Sequence, residues 1–453
     1  MQLHFAMIRS LSFFLILFAT LSADELVVHL KSDLPNQVQK VYLAQIQSDK
    51  NTIAQDVQTA LEYDLKHNGK TTLLKVDESK QFYAHHKDLN EAYNSKRWRT
   101  WGAKYVIVPS IEKNCLHIQL FDVHSSTLKS LNPIQLTSDT DKNRYLVHQA
   151  SDFIYECMFQ EEGIASKRIL YSYQPKQEKE TNGIWHAEIW EMGSDGKRKH
   201  QITQENHYCL SPVFLPAANA EDNYTFAYVT YKQGQPRIYL ASRNSARGRP
   251  IVPLRGNQLL PDFSPRGDKI AFISDASGRA DLFVQSFNPK KGVLGKPMQV
   301  YSNPGSVQAS PTFSPDGNKL AFVSDKSGTA KIYIVNLNDL KKDRKIPEIT
   351  LISKKNRENT SPSWSPDGTK IVYSAKTNGV RQIWLYDIKK NEERQLTIGL
   401  GDKENPSWAS NSFHIVYNTT SPTYDIFLIN LNQNDPVRLT DGPGLKHYPA
   451  FER

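Results

Sequence analysis

Six proline-led tripeptides recur along the second half of this 453-residue chain. They are Pro212-Val-Phe, Pro261-Asp-Phe, Pro311-Thr-Phe, Pro362-Ser-Trp, Pro406-Ser-Trp and Pro449-Ala-Phe, spaced 49, 50, 51, 44 and 43 residues apart. In the middle copies a turn follows, as in Ser314-Pro-Asp-Gly317. Proline presets φ, the Asp side chain bonds to the backbone just after it, and Gly accepts positive φ. Strand-like residues flank that turn, with Phe313 before it and Leu320, Phe322 and Val323 after it. A third strand follows in each unit, as in Lys331-Ile-Tyr-Ile-Val335, and a weaker fourth, as in Arg394-Gln-Leu-Thr397. A period of about 40 to 50 residues made of short strands is the mark of a β-propeller.

Counting each strand type separately predicts how the ring closes. The second strand occurs six times, starting with Ile169-Leu-Tyr-Ser-Tyr173, and the third six times, starting with Glu188-Ile-Trp190. No proline anchor precedes that first copy, and no second strand follows the last anchor, Tyr448-Pro-Ala-Phe-Glu-Arg453. One orphan set and one orphan strand make a single split blade, so the C-terminal strand is expected to pair beside residue 170. Such closure removes open sheet edges, which otherwise invite aggregation. The Asp and Gly residues of the turns are read as architecture rather than as calcium ligands.

Ahead of the repeats the pattern changes. Leu11-Ser-Phe-Phe-Leu-Ile-Leu-Phe-Ala19 follows Arg9 and precedes small residues, which outlines a signal peptide over 1–23. An uncleaved membrane anchor is the alternative. From 24 to 160 a small α/β domain is expected. Glu25–Leu30, Ala103–Val108 and Leu116–Phe121 read as strands. Ile53, Val57, Leu61 and Leu65 fall at helical spacing, and Tyr145–Phe159 reads as a second amphipathic helix. The expected whole is an α+β chain of two domains, residues 161–453 forming a six-bladed β-propeller closed by the C-terminal strand.

Composition narrows the function classes. Without residues 1–23 the chain holds 55 Lys and Arg (56 less Arg9) against 47 Asp and Glu, a mild excess spread along its length. An exported chain without zinc or stacked-aromatic motifs is not expected to bind nucleic acid. Three cysteines, Cys115, Cys157 and Cys209, are too few for a disulfide framework. Cys115 and Cys157 either pair or stay as buried thiols. No Gly-x-Ser-x-Gly, His-Glu-x-x-His or phosphate-cradling loop occurs, and no room remains after the last anchor for a hydrolase domain. No enzyme, cofactor or metal site is expected. A ligand- or glycan-binding periplasmic propeller stays open as an alternative to a protein adaptor.

Two segments carry a more specific likeness. Trp98-Arg-Thr-Trp-Gly-Ala-Lys-Tyr-Val-Ile-Val108, and His148-Gln-Ala-Ser-Asp-Phe-Ile-Tyr155 followed by Gly163-Ile-Ala-Ser-Lys-Arg-Ile-Leu-Tyr-Ser172, resemble the TolB family, periplasmic propellers of the Tol-Pal envelope system. Cys157-Met-Phe159 departs from the family's Leu-Thr-Gly-like helix end, which bears on the interdomain angle, and Pro406-Ser-Trp-Ala-Ser-Asn-Ser412 lacks the second Pro and the Gly of the hairpin. The resemblance implies a non-enzymatic adaptor supporting outer-membrane integrity and cell division. The propeller would bind a Pal-like peptidoglycan-associated lipoprotein, and the N-terminal region a TolA-like inner-membrane protein. It places the Pal surface on the loops ahead of each anchor proline: His207, Tyr208, Gln308, Ser310, Glu358, Thr360, Ser361, Glu404, Asn405, His447 and Tyr448. The TolA-contacting switch segment it implies is Asp24, Glu25, Leu26, Val27, Val28 and His29.

Overall fold

The middle strands of the repeat are unbroken apolar runs, such as Ile270-Ala-Phe-Ile273, and all four of these residues are buried. A run of that kind fits a strand covered on both faces, and six four-stranded antiparallel sheets supply the covers. The computed structural model describes residues 38–47, 52–176, 186–216, 224–341, 347–432 and 435–453. The expected leader, the Glu25–Leu30 strand and the Asp24–His29 segment lie outside the described residues.

The sheets stand as blades of a propeller. Their inner strands are Cys209–Phe214, Gln258–Phe263, Gln308–Phe313, Asn359–Trp364, Lys403–Trp408 and Leu445–Phe451, in blades 1 to 6. Blade 6 is the split one: Leu445–Phe451 pairs with Arg168–Gln174, Phe451 opposite Ile169, and Glu188–Gly193 and His200–Gln201 complete it. Apolar side chains fill the gaps between neighbouring blades, as where Ala271, Ile273 and Leu282 of blade 2 meet Phe313, Leu320 and Phe322 of blade 3.

Before the ring lies a sheet in the order Thr71–Leu73, Gln39–Leu43, Tyr105–Glu112, Cys115–Asp122, Thr127–Ser130. Helices Thr52–His67 and Thr140–Phe159 cover one face, packing Val57, Leu61, Val147 and Ile154 on Val41, Ile107 and Ile118. The second helix begins five residues before the expected Tyr145 because the Asp139 side chain caps it, accepting the Lys142 N–H. On the other face Trp98 is fully buried against Tyr42 and donates its indole N–H to the Ala92 carbonyl at 2.7 Å. The three cysteines are free thiols, with Cys209 buried in blade 1.

This α/β unit sits on the hairpin end of blades 5 and 6. A β-carbon at Gly69, where φ is +74°, would stand 2.6 Å from the Phe413 ring, so only glycine admits that approach. Lys70 pairs with Glu161 and lies 5.4 to 5.8 Å from the ring centres of Tyr155, Phe159 and Phe413. Both departures from the family pattern thus fall at this contact: Phe159 closes the cage around Lys70, and the altered hairpin presents Phe413. Deeper in, fully buried His148 holds Asp64 of the first helix through Nδ1 at 2.8 Å and Asp195 of blade 6 through Nε2 at 3.2 Å. Arg144 Nε completes the network on Asp195 at 2.5 Å. Burial opposes charge on this imidazole, but the two carboxylates outweigh it and raise its pKa to about 9.

Candidate docking face at the channel mouth

The residue before each anchor proline is left-handed in all six blades. Ser211, Leu260, Ser310, Ser361, Asn405 and Tyr448 have φ between 47° and 52°. At the same point every inner strand slips its pairing register, as between Leu210 and Val213 in blade 1 and between Ala309 and Thr312 in blade 3. Proline bars its predecessor from the right-handed helical region and offers no N–H to the ladder. A bulge absorbs both restrictions and bends the strand. The bulged tripeptides, together with Arg453, line an axial cavity of about 150 Å³.

The residue after the proline ties one blade to the next. Asp262 accepts the Phe313 N–H at 2.7 Å, Thr312 Oγ1 the Trp364 N–H at 3.3 Å, and Ser407 Oγ the Phe451 N–H at 3.1 Å. Three positions before the proline, Gln258, Gln308, Asn359, Lys403 and Lys446 are buried and hold the linker that enters the blade. Gln258 donates to the Val252 and Leu254 carbonyls, and Lys403 Nζ reaches the Gly399, Leu400 and Gly401 carbonyls, all at 2.9 Å. Gln308 belongs to this set, and that corrects its expected place on the surface. Only 2 % exposed, its amide donates to the Ala280 carbonyl at 2.7 Å and accepts from Ser306.

The other ring positions reach the mouth, on the face away from the α/β unit, and form two patches. On blades 4 and 5, Arg381 draws three of them together. Its Nη2 lies 3.4 Å from Glu358, its Nη1 3.3 Å from Thr360 Oγ1, and its Nε 3.4 Å from Glu404. Burial raises the Glu404 pKa, and Arg381 opposes the rise. Across blades 5, 6 and 1 the rim is aromatic: Tyr424 meets His447 edge-on at 5.6 Å, His447 meets Tyr448 at 6.1 Å, and Tyr208 meets Tyr231 at 6.0 Å. Burial lowers the His447 pKa to about 4, so the imidazole is neutral at neutral pH. A polar chain joins the patches: Ser361 donates to Asn405, Asn405 to Asn418 Oδ1, and the Tyr448 N–H to that same oxygen, at 3.0, 3.0 and 3.2 Å.

His207 lies beside this rim, half-buried, its carbonyl accepting the Ala187 N–H at 3.2 Å, and Ser310 lines the channel. Arg381, Asn418, Tyr231 and Tyr424 were not among the expected positions. They stand on second and third strands and their loops, which reach the mouth beside the inner strand. For Arg381 a signal was present in Asn378-Gly379, a tight-hairpin dipeptide that ends two strands at this face.

Comparison with known proteins agrees with this architecture. Residues 155–425 match a family model described as the TolB beta propeller domain. A protein named TolB homolog from Protochlamydia amoebophila is 39 % identical over 390 residues, 85 % of this chain and 82 % of that protein. One from Chlamydia caviae is 38 % identical over 280 residues, 62 % of this chain and 63 % of its own length. The crystal structure of TolB from Acinetobacter baumannii superposes with a TM-score of 0.72 at 22 % identity, covering 92 % of this chain and 96 % of that one, a likeness of fold.

Proposed function

Because this chain belongs to the TolB family, we propose that it is a non-enzymatic periplasmic adaptor of the Tol-Pal envelope system. Residues 1–23 act as its export signal. The propeller docks a Pal-like lipoprotein on the channel mouth, and Asp24–His29 contacts a TolA-like inner-membrane protein. Through these partners it supports outer-membrane integrity during cell division.

The observation that carries the reading is the mouth itself. Half-buried aromatic and carboxylate side chains stand there beside the strand bulges of blades 4, 5, 6 and 1, opposite the face taken by the α/β unit. Aromatic anchors held on a rigid frame are what protein recognition uses, because little side-chain entropy remains to be lost. The axial cavity favours this over the small-ligand alternative. At about 150 Å³ it is smaller than the ~300 Å³ at which small-molecule pockets begin.

Calorimetric titration of the protein with the soluble domain of the same organism's Pal-like lipoprotein tests the reading. Saturable binding is expected, weakened in a folded variant carrying Glu358→Ala, Thr360→Ala, Glu404→Ala and His447→Ala. A wild type that takes up no heat beyond dilution rejects the Pal assignment.

A further inference from the structure

Blade 4 differs from its neighbours at the mouth. Blade 3 joins its second and third strands, six residues each, through Asp325-Lys-Ser-Gly-Thr-Ala330. Blade 4 uses only Asn378-Gly379 between strands of eight residues, Lys370–Thr377 and Val380–Asp387. Both turn residues have positive φ, 51° and 87°, as a two-residue hairpin requires. The longer strands carry two extra cross-strand pairs toward the mouth, and one of them sets Lys376 opposite Arg381. The Arg381 guanidinium is thereby delivered between the entries to two inner strands, with Glu358 and Thr360 on one side and Glu404 on the other.

Arg381 is itself held. Its backbone N–H donates to Asp402 at 2.7 Å, and each of its three side-chain nitrogens meets one of the ring residues. A guanidinium is a rigid fork of donors with no acceptor. Spanning two blades, it ties Glu358 to Glu404, with Lys376 Nζ 3.8 Å from Glu358 as a second cation, while the two carboxylate side chains keep 37 % and 31 % of their exposure. With Arg381 so engaged, the patch offers outward, beside the Lys376 ammonium, carboxylate oxygens, which accept and do not donate.

We infer that Arg381 is a positioning residue of the docking face, which pre-sets Glu358 and Glu404, at the starts of adjoining inner strands, as a paired acceptor for a partner segment rich in hydrogen-bond donors, such as backbone N–H groups or a Lys or Arg side chain. The inference rests on the docking reading above and adds the residue and the partner chemistry. Arg381 acts through the two carboxylates and does not touch the partner.

A mutant cycle separates these roles. Binding of the Pal-like soluble domain is measured for wild type, Arg381→Gln, Glu358→Gln with Glu404→Gln, and all three together, with Arg381→Lys as a charge-keeping control. Thermal melts confirm that each variant is folded. Arg381→Gln and the double carboxylate variant are each expected to lose about tenfold in affinity, a coupling of the size found between contacting residues. The triple variant then binds no more weakly than the double, and Arg381→Lys falls between wild type and Arg381→Gln. If the Arg381→Gln loss repeats in full on the carboxylate-free background, Arg381 meets the partner directly and the inference is overturned. If the wild type does not bind, the docking reading fails instead. Arg381 is then judged in the free protein by side-chain relaxation of Glu358 and Glu404: carboxylates as ordered in Arg381→Gln as in wild type remove the positioning role, and carboxylates freed in Arg381→Gln keep it as a property of the patch alone.

Discussion

Gln258 and its counterparts show how a buried polar side chain can substitute for secondary structure. The linker between blades has no ladder of its own, so its carbonyls need partners once buried. Gln258 supplies two such bonds and accepts the Ile238 N–H at 3.3 Å. Replacing it with Leu leaves the Val252 carbonyl and the Ile238 N–H without partners, while the Leu254 carbonyl keeps its bond from Arg237, at about 1–3 kcal/mol for each buried group that water cannot reach. Gln258→Leu is therefore expected to lose at least ~2 kcal/mol in urea unfolding, whereas Gln204→Leu, an exposed site in the preceding linker, changes little. This function was not legible in the sequence. A polar residue three places before a proline reads as loop surface, and Gln308 was placed at the mouth for that reason. What distinguishes it from Glu358 is one place of register: Glu358 lies four residues before its proline and stays half-exposed, whereas Asn359, three before, is buried like Gln308.

The anchor proline is an element-scale device. Its predecessor is driven left-handed in every blade, although none of the six is glycine. Left-handed backbone costs a non-glycine residue about 1–2 kcal/mol, and more for a β-branched one. The sequences respond accordingly: three are Ser and one is Asn, small polar residues that tolerate this region. Ser310→Gly should hold or raise the melting temperature, while Ser310→Val should lower stability by about 1–2 kcal/mol. Equal stability of the two variants would show that the bulge is unstrained. The periodicity, the blade count and the split blade could all be read from the sequence, because each repeat carries the same strand chemistry and the ends fail to match in a countable way. The bulge could not, since Ser-Pro alone is compatible with an ordinary extended strand.

At the scale of the whole molecule, one histidine reports on how the two units are joined. His148 is fully buried between Asp64 of the α/β unit and Asp195 of blade 6, with Arg144 on the second carboxylate and Asp152 and Tyr63 nearby. Its pKa is raised from 6.5 to about 9, so its contribution is complete below about pH 6.5 and is lost as pH climbs through 9. The span corresponds to on the order of 3 kcal/mol. On the acid side, burial works against the Asp195 charge, but His148 and Arg144 hold its pKa well below the usual range, so its share is lost only in strong acid. Proteolysis within 160–167 should therefore accelerate between pH 7 and 9.5 in wild type, and His148→Gln should be cut quickly at both. A flat wild-type profile would mean that the junction does not depend on this charge. The junction leaves the far end of the ring clear, which is where docking is placed. Hydrogen exchange with and without the Pal-like soluble domain tests that placement most directly. The account predicts slowed exchange in 205–211, 356–362, 400–407 and 444–449, with the opposite hairpins 264–268, 314–318 and 365–369 unchanged. Protection confined to those hairpins, with the mouth exchanging as in the free protein, would contradict it.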